Sequence, residues 1–181
     1  MPSTATPPTS PIVGTMPTPK QQFLNAYERE HETTMKVLRA FPPEKSELQP
    51  HPKSKPAREL AWIFTLERGL GKAGLNNAFA SGQVGGGPPP APEKWEDVVD
   101  AAEKSHAEFR EVFNSFTDEQ LLEPIKFFAG PKTLVDVPRI EFAWFLLCDE
   151  IHHRGQLSVY LRMAEGKVPS IYGPSLDEPW F

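Results

Sequence analysis

Apolar residues recur at helical spacing in four long segments, each bounded by proline or glycine. The first is predicted to start at Thr18. Pro19 takes its first helical position, and Gln21 completes a capping box with the threonine. Its inward stripe is Leu24, Tyr27, His31, Thr34/Met35 and Leu38, and Pro42-Pro43 stops it. The second begins near Ser54 or Lys55 with Pro56 in its first turn. It carries Leu60, Ile63, Phe64, Glu67 and Leu70 inward and fades through Gly69, Gly71 and Gly74. The third runs from about Glu93 to Phe116, with Trp95, Val98, Val99, Ala102, Ser105/His106, Phe109, Val112 and Phe113 inward. The fourth starts around Pro138 and ends at Gly166, a natural cap, with the stripe Phe142, Phe145, Leu146, Asp149, His153, Gln156, Leu157 and Tyr160. Between the last two, Thr117 and Gln120 repeat the capping-box spacing of a short turn. Residues 125–137 read as irregular or weakly extended, Phe127, Phe128, Leu134 and Val135 being the strand-like signal.

The connections limit how these segments pack. The first two helices are joined by a short link. The second and third are separated by Ser81 to Pro92, whose Gly85-Gly86-Gly87-Pro88-Pro89-Pro90 run excludes regular structure. This predicts an all-α chain forming a four-helix bundle with a long crossover between helices 2 and 3. Residues 1–17, rich in Pro, Ser and Thr, read as a disordered tail rather than a signal peptide. Residues 18–181 read as one domain, with Val168 to Phe181 a Pro-punctuated, aromatic-bearing tail packed over a bundle end.

Composition narrows the partners. Apolar residues make up 39% of the chain and charged residues 24%, and no apolar run is long enough to span a bilayer. The net charge of -5, without a basic patch, argues against nucleic acid. The single cysteine, Cys148, permits no intramolecular disulfide, and a cytoplasmic location is expected.

The informative residues are polar ones at inward positions. Asp149 and His153 are four apart and share a helix face. On an apolar face they need a partner or a metal, because burying them bare is costly. Their i, i+4 spacing also suits two metal ligands. Glu67 on the second helix, His31 on the first and His106 on the third are placed to join them, as bundle-core metal sites require. The same residues also read as a structural Asp-His pair, a boundary carboxylate at Glu67 and satisfied core histidines. Cys148, about 100° around the helix, reads as a small buried hydrophobe. Spacing leaves both readings open and specifies no reaction.

The stretch Asp149-Glu150-Ile151-His152-His153-Arg154-Gly155-Gln156-Leu157, followed by Val159-Tyr160-Leu161-Arg162, resembles the DinB family. So do Val168-Pro169-Ser170-Ile171-Tyr172-Gly173-Pro174-Ser175, Asp177-Glu178-Pro179-Trp180 and, on the second helix, Ala57-Arg58-Glu59-Leu60-Ala61-Trp62. The resemblance covers the chain from about Thr18 to its end, apart from the Gly/Pro crossover. It implies a four-helix bundle of up-down-down-up topology, often dimeric. It also implies a mononuclear zinc or nickel site on three histidines, one from helix 2 and two at H-x-x-x-H on the last helix. Some relatives are thiol-dependent transferases or isomerases.

Carried over residue by residue, the second last-helix ligand matches His153, the first falls on Asp149, and the helix-2 ligand falls on Ile63, which cannot bind metal. His152 turns away from the stripe. Full three-histidine coordination is therefore excluded, and two outcomes follow. In one, Glu67, a turn beyond Ile63, or His31 supplies a third ligand to a divalent ion (zinc, nickel, iron or manganese), serving a hydrolase or thiol S-transferase. In the other, the site has lost its metal, and Asp149 and His153 pair under a pocket for a small molecule. The loss to Ile63 favours the second. Gln156, Arg154, Tyr160 and Ile63 are expected to line that pocket. The expected partners are a second copy of the chain and a small molecule, with no nucleic acid and no membrane.

Overall fold

The computed structural model describes residues 16–81, 86–130 and 133–181. Apart from its last two residues, the predicted N-terminal tail lies outside them, as do 82–85 of the predicted crossover. Five helices and two strands follow in order: α1 (Pro19–Ala40), α2 (Ala57–Leu75), α3 (Trp95–Asn114), α4 (Asp118–Leu122), β1 (Pro124–Gly130), β2 (Thr133–Pro138) and α5 (Arg139–Met163). Among the described residues no helix is long and apolar enough to cross a membrane.

Helix starts follow local chemistry. Thr18 Oγ1 accepts from Gln21 N at 3.3 Å while Thr18 N donates to Gln21 Oε1 at 3.0 Å. Thr117 and Gln120 repeat this box at α4. The two starts are joined by the Lys20 ammonium, which donates to the carbonyls of Asn114 and Phe116 at 2.7 Å each.

The segment read as irregular or weakly extended is an antiparallel hairpin, with Ile125 opposite Val137 and Phe127 opposite Val135. What stabilises it is distant in sequence. Ile125 is buried in the core, the Phe127 ring lies 4.7 Å from Phe142, and Lys126 N donates to Asn77 Oδ1 at 2.9 Å. α2 does not fade through its glycines either. A Cβ at Gly71 would lie 2.5 Å from Phe109 Cε2, and one at Gly74 would lie 2.5 Å from Phe142 Cε1. Both glycines let rings of α3 and α5 rest on the α2 backbone.

α2 packs against α3 and α5, and α1 packs against the same two helices. The interior divides into two apolar clusters. One holds Phe23, Tyr27, Phe109, Phe113, Phe142 and Leu146, with Ile125 of the hairpin. The other holds Leu38, Phe41, Leu60, Phe64, Trp95, Val98, Leu157 and Leu161. On every long helix the residues between the two clusters are polar and buried: Glu30, His31 and Thr34, then Glu67 and Arg68, then Ser105 and His106, then Glu150 and Arg154. A polar belt thus crosses the middle of the molecule.

Two buried ion pairs close that belt. Arg68 bonds Glu150 through Nε and Nη2 at 3.0 and 2.8 Å, and its Nη1 donates to Ala102 O at 2.6 Å. Arg154 pairs with Glu30 at 2.8 Å, and the Tyr172 hydroxyl of the C-terminal tail donates to Glu30 Oε2 at 2.6 Å. The tail is also clipped by Asp177, which bonds Arg162 and Val168 N, while Val168 and Ile171 pack on the second cluster.

The α5 stripe differs from the predicted one. Phe145 and Gln156 are exposed, Cys148 is exposed rather than buried, and Glu150 and Arg154 take the core positions beside Leu146, Leu157 and Leu161. α5 buries charged Glu150 and Arg154 and exposes Trp144, Phe145, Val159 and Met163, so its hydrophobic period leaves the buried face undefined until neighbouring helices choose it. Asp149 and His153 consequently lie on a flank, half-buried at the α2–α5 seam.

Candidate metal centre

Along that seam α2 presents Glu67 to the flank of α5. His153 Nε2 lies 3.3 Å from Glu67 Oε1 and 3.8 Å from Asp149 Oδ1. One ligand atom from each of the three residues falls within 4.8 Å of the others. Neighbouring ligand atoms around a zinc-sized ion sit roughly 3.0–3.4 Å apart, given bonds of about 2.1 Å. The trio therefore needs only small side-chain adjustments to close on one.

The imidazole is oriented from behind. His153 Nδ1 lies 3.2 Å from Gln156 Oε1, an oxygen that can only accept. That bond leaves the Nε2 lone pair facing the two carboxylates, as a metal-ligating histidine requires. Gln156 Nε2 in turn lies 3.0 Å from His152 Nε2, so His152 supports the site from solvent.

Glu67 is the electrostatic anomaly. Its side chain is about 10% exposed, and its Oε2 is buried without a hydrogen-bond partner among the described residues. Burial, and then the neighbouring Asp149 and Glu150 carboxylates, push its carboxyl up to about 10, against the lowering influence of Arg68. A carboxyl so placed lacks a positive charge. A divalent cation between Glu67, Asp149 and His153 would supply it, so the residues present fit a bound ion.

The other sequence candidates separate from this trio. Ile63 lies at the seam and, with His153, Gln156, Tyr160 and Lys55, lines a groove of about 530 Å³. Tyr160 is tied down there, its hydroxyl donating to Lys55 O at 3.2 Å. Arg154 is not in the groove, being buried across α5 against Glu30 and the Tyr172 ring. His31 is not a third ligand. It stacks on His106 with ring centroids 3.6 Å apart, its Nε2 lies 3.5 Å from Glu103, and His106 Nε2 lies 3.2 Å from Glu28. Their helices meet on the side of the molecule away from the α2–α5 seam.

Arg68, Glu30 and Glu150, which hold the belt, carried no sequence signal. Glu150 and Arg154 are spaced i, i+4, which ordinarily marks a solvated helix pair, yet each pairs with a different helix instead.

A sequence model of the DinB superfamily matches residues 26–157. The chain is 26% identical over 157 residues to the uncharacterised protein YrdA of Bacillus subtilis strain 168, covering 86% of this chain and 89% of that one. A DinB-like protein from Bacillus cereus superposes with a TM-score of 0.70 at 25% identity, over 83% of this chain and 95% of that one. The DinB-like protein YjoA from Bacillus subtilis shares the fold, with a TM-score of 0.65 at 17% identity over 88% and 99% of the two chains.

Proposed function

Because this chain belongs to the DinB superfamily, we propose that Glu67, Asp149 and His153 hold one divalent metal ion in a rebuilt version of the family's site, serving a hydrolytic or thiol-transfer reaction. The observation carrying this reading is the convergence of the three side chains on one point, with the second oxygen of Glu67 left buried and unpartnered. Isoleucine at position 63 removes a ligand, and glutamate one turn later restores one. Two carboxylates and one imidazole favour a harder ion than three imidazoles do, such as iron, manganese or zinc, with nickel as a further candidate.

When bound, the ion would act as a Lewis acid that lowers the pKa of a coordinated water or thiol. The protein's own part is orientation. Gln156 fixes the His153 tautomer, and Ile63 and Tyr160 shape a groove on the His153 side of the trio.

Elemental mass spectrometry on untagged protein tests the reading, with Glu67→Gln, Asp149→Ala and His153→Ala alongside. The expected result is near one equivalent of a transition metal, lost in all three variants. Metal far below stoichiometry after incubation with iron, zinc, nickel and manganese would overturn it in favour of a metal-free ligand-binding protein.

The architecture reads as a four-helix bundle of up-down-down-up topology. Order along the contacts supports this. Phe23 and Phe41 meet Phe113 and Trp95 in reversed order, Arg58 and Lys72 meet Pro92 and Glu108 in the same order, and Glu67 and Gly74 meet His153 and Phe142 in reversed order. We also propose a homodimer through the outer face of α5, where Phe145, Val159 and Met163 are exposed. Light scattering should give twice the chain mass, reduced to one by Phe145→Glu with Val159→Glu. A monomeric wild type would refute it. A cytoplasmic location rests on the lone exposed thiol of Cys148.

A further inference from the structure

On the face of α2 turned toward α3, the Gly/Pro connection folds back as a strap. Trp62 Nε1 donates to Pro89 O at 2.9 Å, and Arg58 Nη1 donates to Ala91 O and Pro92 O at 3.1 and 2.9 Å. Pro88, Pro89 and Pro90 each fix a backbone torsion, so the tethered strap is stiff. Strap, α2 and α3 border an open pocket of about 690 Å³, within the range of small-molecule sites.

Its walls are apolar: Trp62, Leu66, Leu70, Pro88 and Pro89. Thr65 and Glu67 also line it, and Thr65 Oγ1 and Glu67 Oε2 are both buried without a hydrogen-bond partner among the described residues. Leaving buried polar atoms unpaired costs about 1–3 kcal/mol each, so their presence beside a cavity marks the place where a ligand's polar group belongs. The charges at the rim are already spent on each other, Lys72 being ion-paired with Glu108. Glu67 has no lysine or arginine at ion-pair distance among the described residues.

We propose that this pocket binds a small apolar amine, its aliphatic or aromatic body against Trp62, Leu66, Leu70 and the strap prolines, and its ammonium donating to Glu67 Oε2 and Thr65 Oγ1. An ammonium supplies donors to both orphaned oxygens and a positive charge where the carboxyl groups of Glu67, Asp149 and Glu150 crowd together. A carboxylate of the same shape would bring a donor to neither oxygen and would add a negative charge beside Asp149 and Glu150. Glu67 belongs to both the pocket and the candidate metal centre. The inference thus names a substrate class for that centre, and for any reaction, though not for binding, it rests on the metal reading.

Isothermal titration calorimetry in the presence of EDTA tests binding separately from metal. The probes are phenethylamine, 2-phenylethanol and 3-phenylpropanoate, matched in body and different in head. The expected order is amine, then alcohol, then acid, with at least tenfold between amine and acid. Gly69 lines the pocket, and a Cβ there meets nothing within 4 Å, so Gly69→Phe fills the pocket without disturbing the helix packing. It should cost the amine at least tenfold while circular dichroism stays unchanged. Glu67→Gln should abolish the preference for amine over alcohol. Because the titrations are run in EDTA while metal content is read by elemental mass spectrometry, a failed metal centre and a failed pocket give different results. No saturable binding by any probe, tightest binding by the acid, or amine affinity indifferent to Gly69→Phe would each overturn the proposal.

Discussion

Acid should loosen this protein through one buried pair, His31 and His106. The rings stack face to face, and Tyr27 stacks on the other side of His106 at 4.4 Å. Both Nδ1 atoms are buried without hydrogen-bond partners among the described residues. Burial, with the Arg68 guanidinium nearby, pulls His31 down to about 4, against the pull of Glu103. Burial, then His31, Arg68 and Arg110, pulls His106 down to about 2, although Glu28 lies 3.2 Å from its Nε2. Both folded values lie below the ordinary 6.5, so the unfolded chain binds more protons than the native one as pH falls from 6.5. Stability is therefore full above pH 6.5 and is lost below it. At about 1.4 kcal/mol per proton per pH unit, each histidine accounts for about 2–3 kcal/mol between pH 7.5 and 4.5. Together they approach the whole stability of many domains. His106→Phe keeps an aromatic ring in the stack and removes one of the two titrations. At pH 7.5 it forfeits the bond to Glu28, worth about 1 kcal/mol, but also removes an unpaired Nδ1 costing about 1–3 kcal/mol. The variant should thus be unchanged or up to about 2 kcal/mol more stable. Urea unfolding in EDTA at pH 7.5, 6.5, 5.5 and 4.5 measures both effects. The variant should lose about 3 kcal/mol less than wild type on acidification. An equal loss in the two proteins would refute the reasoning.

Glycines on α2 should respond oppositely to alanine: Gly69→Ala, exposed with open space around it, should stabilise by up to about 1 kcal/mol. Gly71→Ala should destabilise by about 1–3 kcal/mol, because its Cβ would collide with Phe109 and Leu146; denaturant midpoints check both. Glu150→Gln should cost about 3–5 kcal/mol by leaving Arg68 charged and buried alone. The double variant Arg68→Met with Glu150→Leu should cost less than that single change, measured by the same unfolding. In the tail, Tyr172→Phe removes a donor to Glu30 and should cost about 1–2 kcal/mol, with faster proteolysis after Met163.

Local chemistry was legible before the fold was seen. The capping boxes at Thr18 and Thr117, the proline stops and the helical period placed the helices to within a few residues, because caps and periodicity act over one or two turns. The four-residue spacing of Asp149 and His153 likewise put them on one face of α5. Other features depend on contacts remote in sequence. Which face of α5 is buried was decided by α1 and α2, since a helix with apolar and charged residues on both its sides has no intrinsic inside. Glu67 rather than His31 joins Asp149 and His153 because α2 packs along that flank of α5, while His31 is drawn into a stack on α3. Gly71 and Gly74 read as helix breakers until the rings resting on them are seen. Arg68 and Glu150, 82 residues apart, find each other only in the folded state, where two charges become affordable at the centre of a protein by being paired.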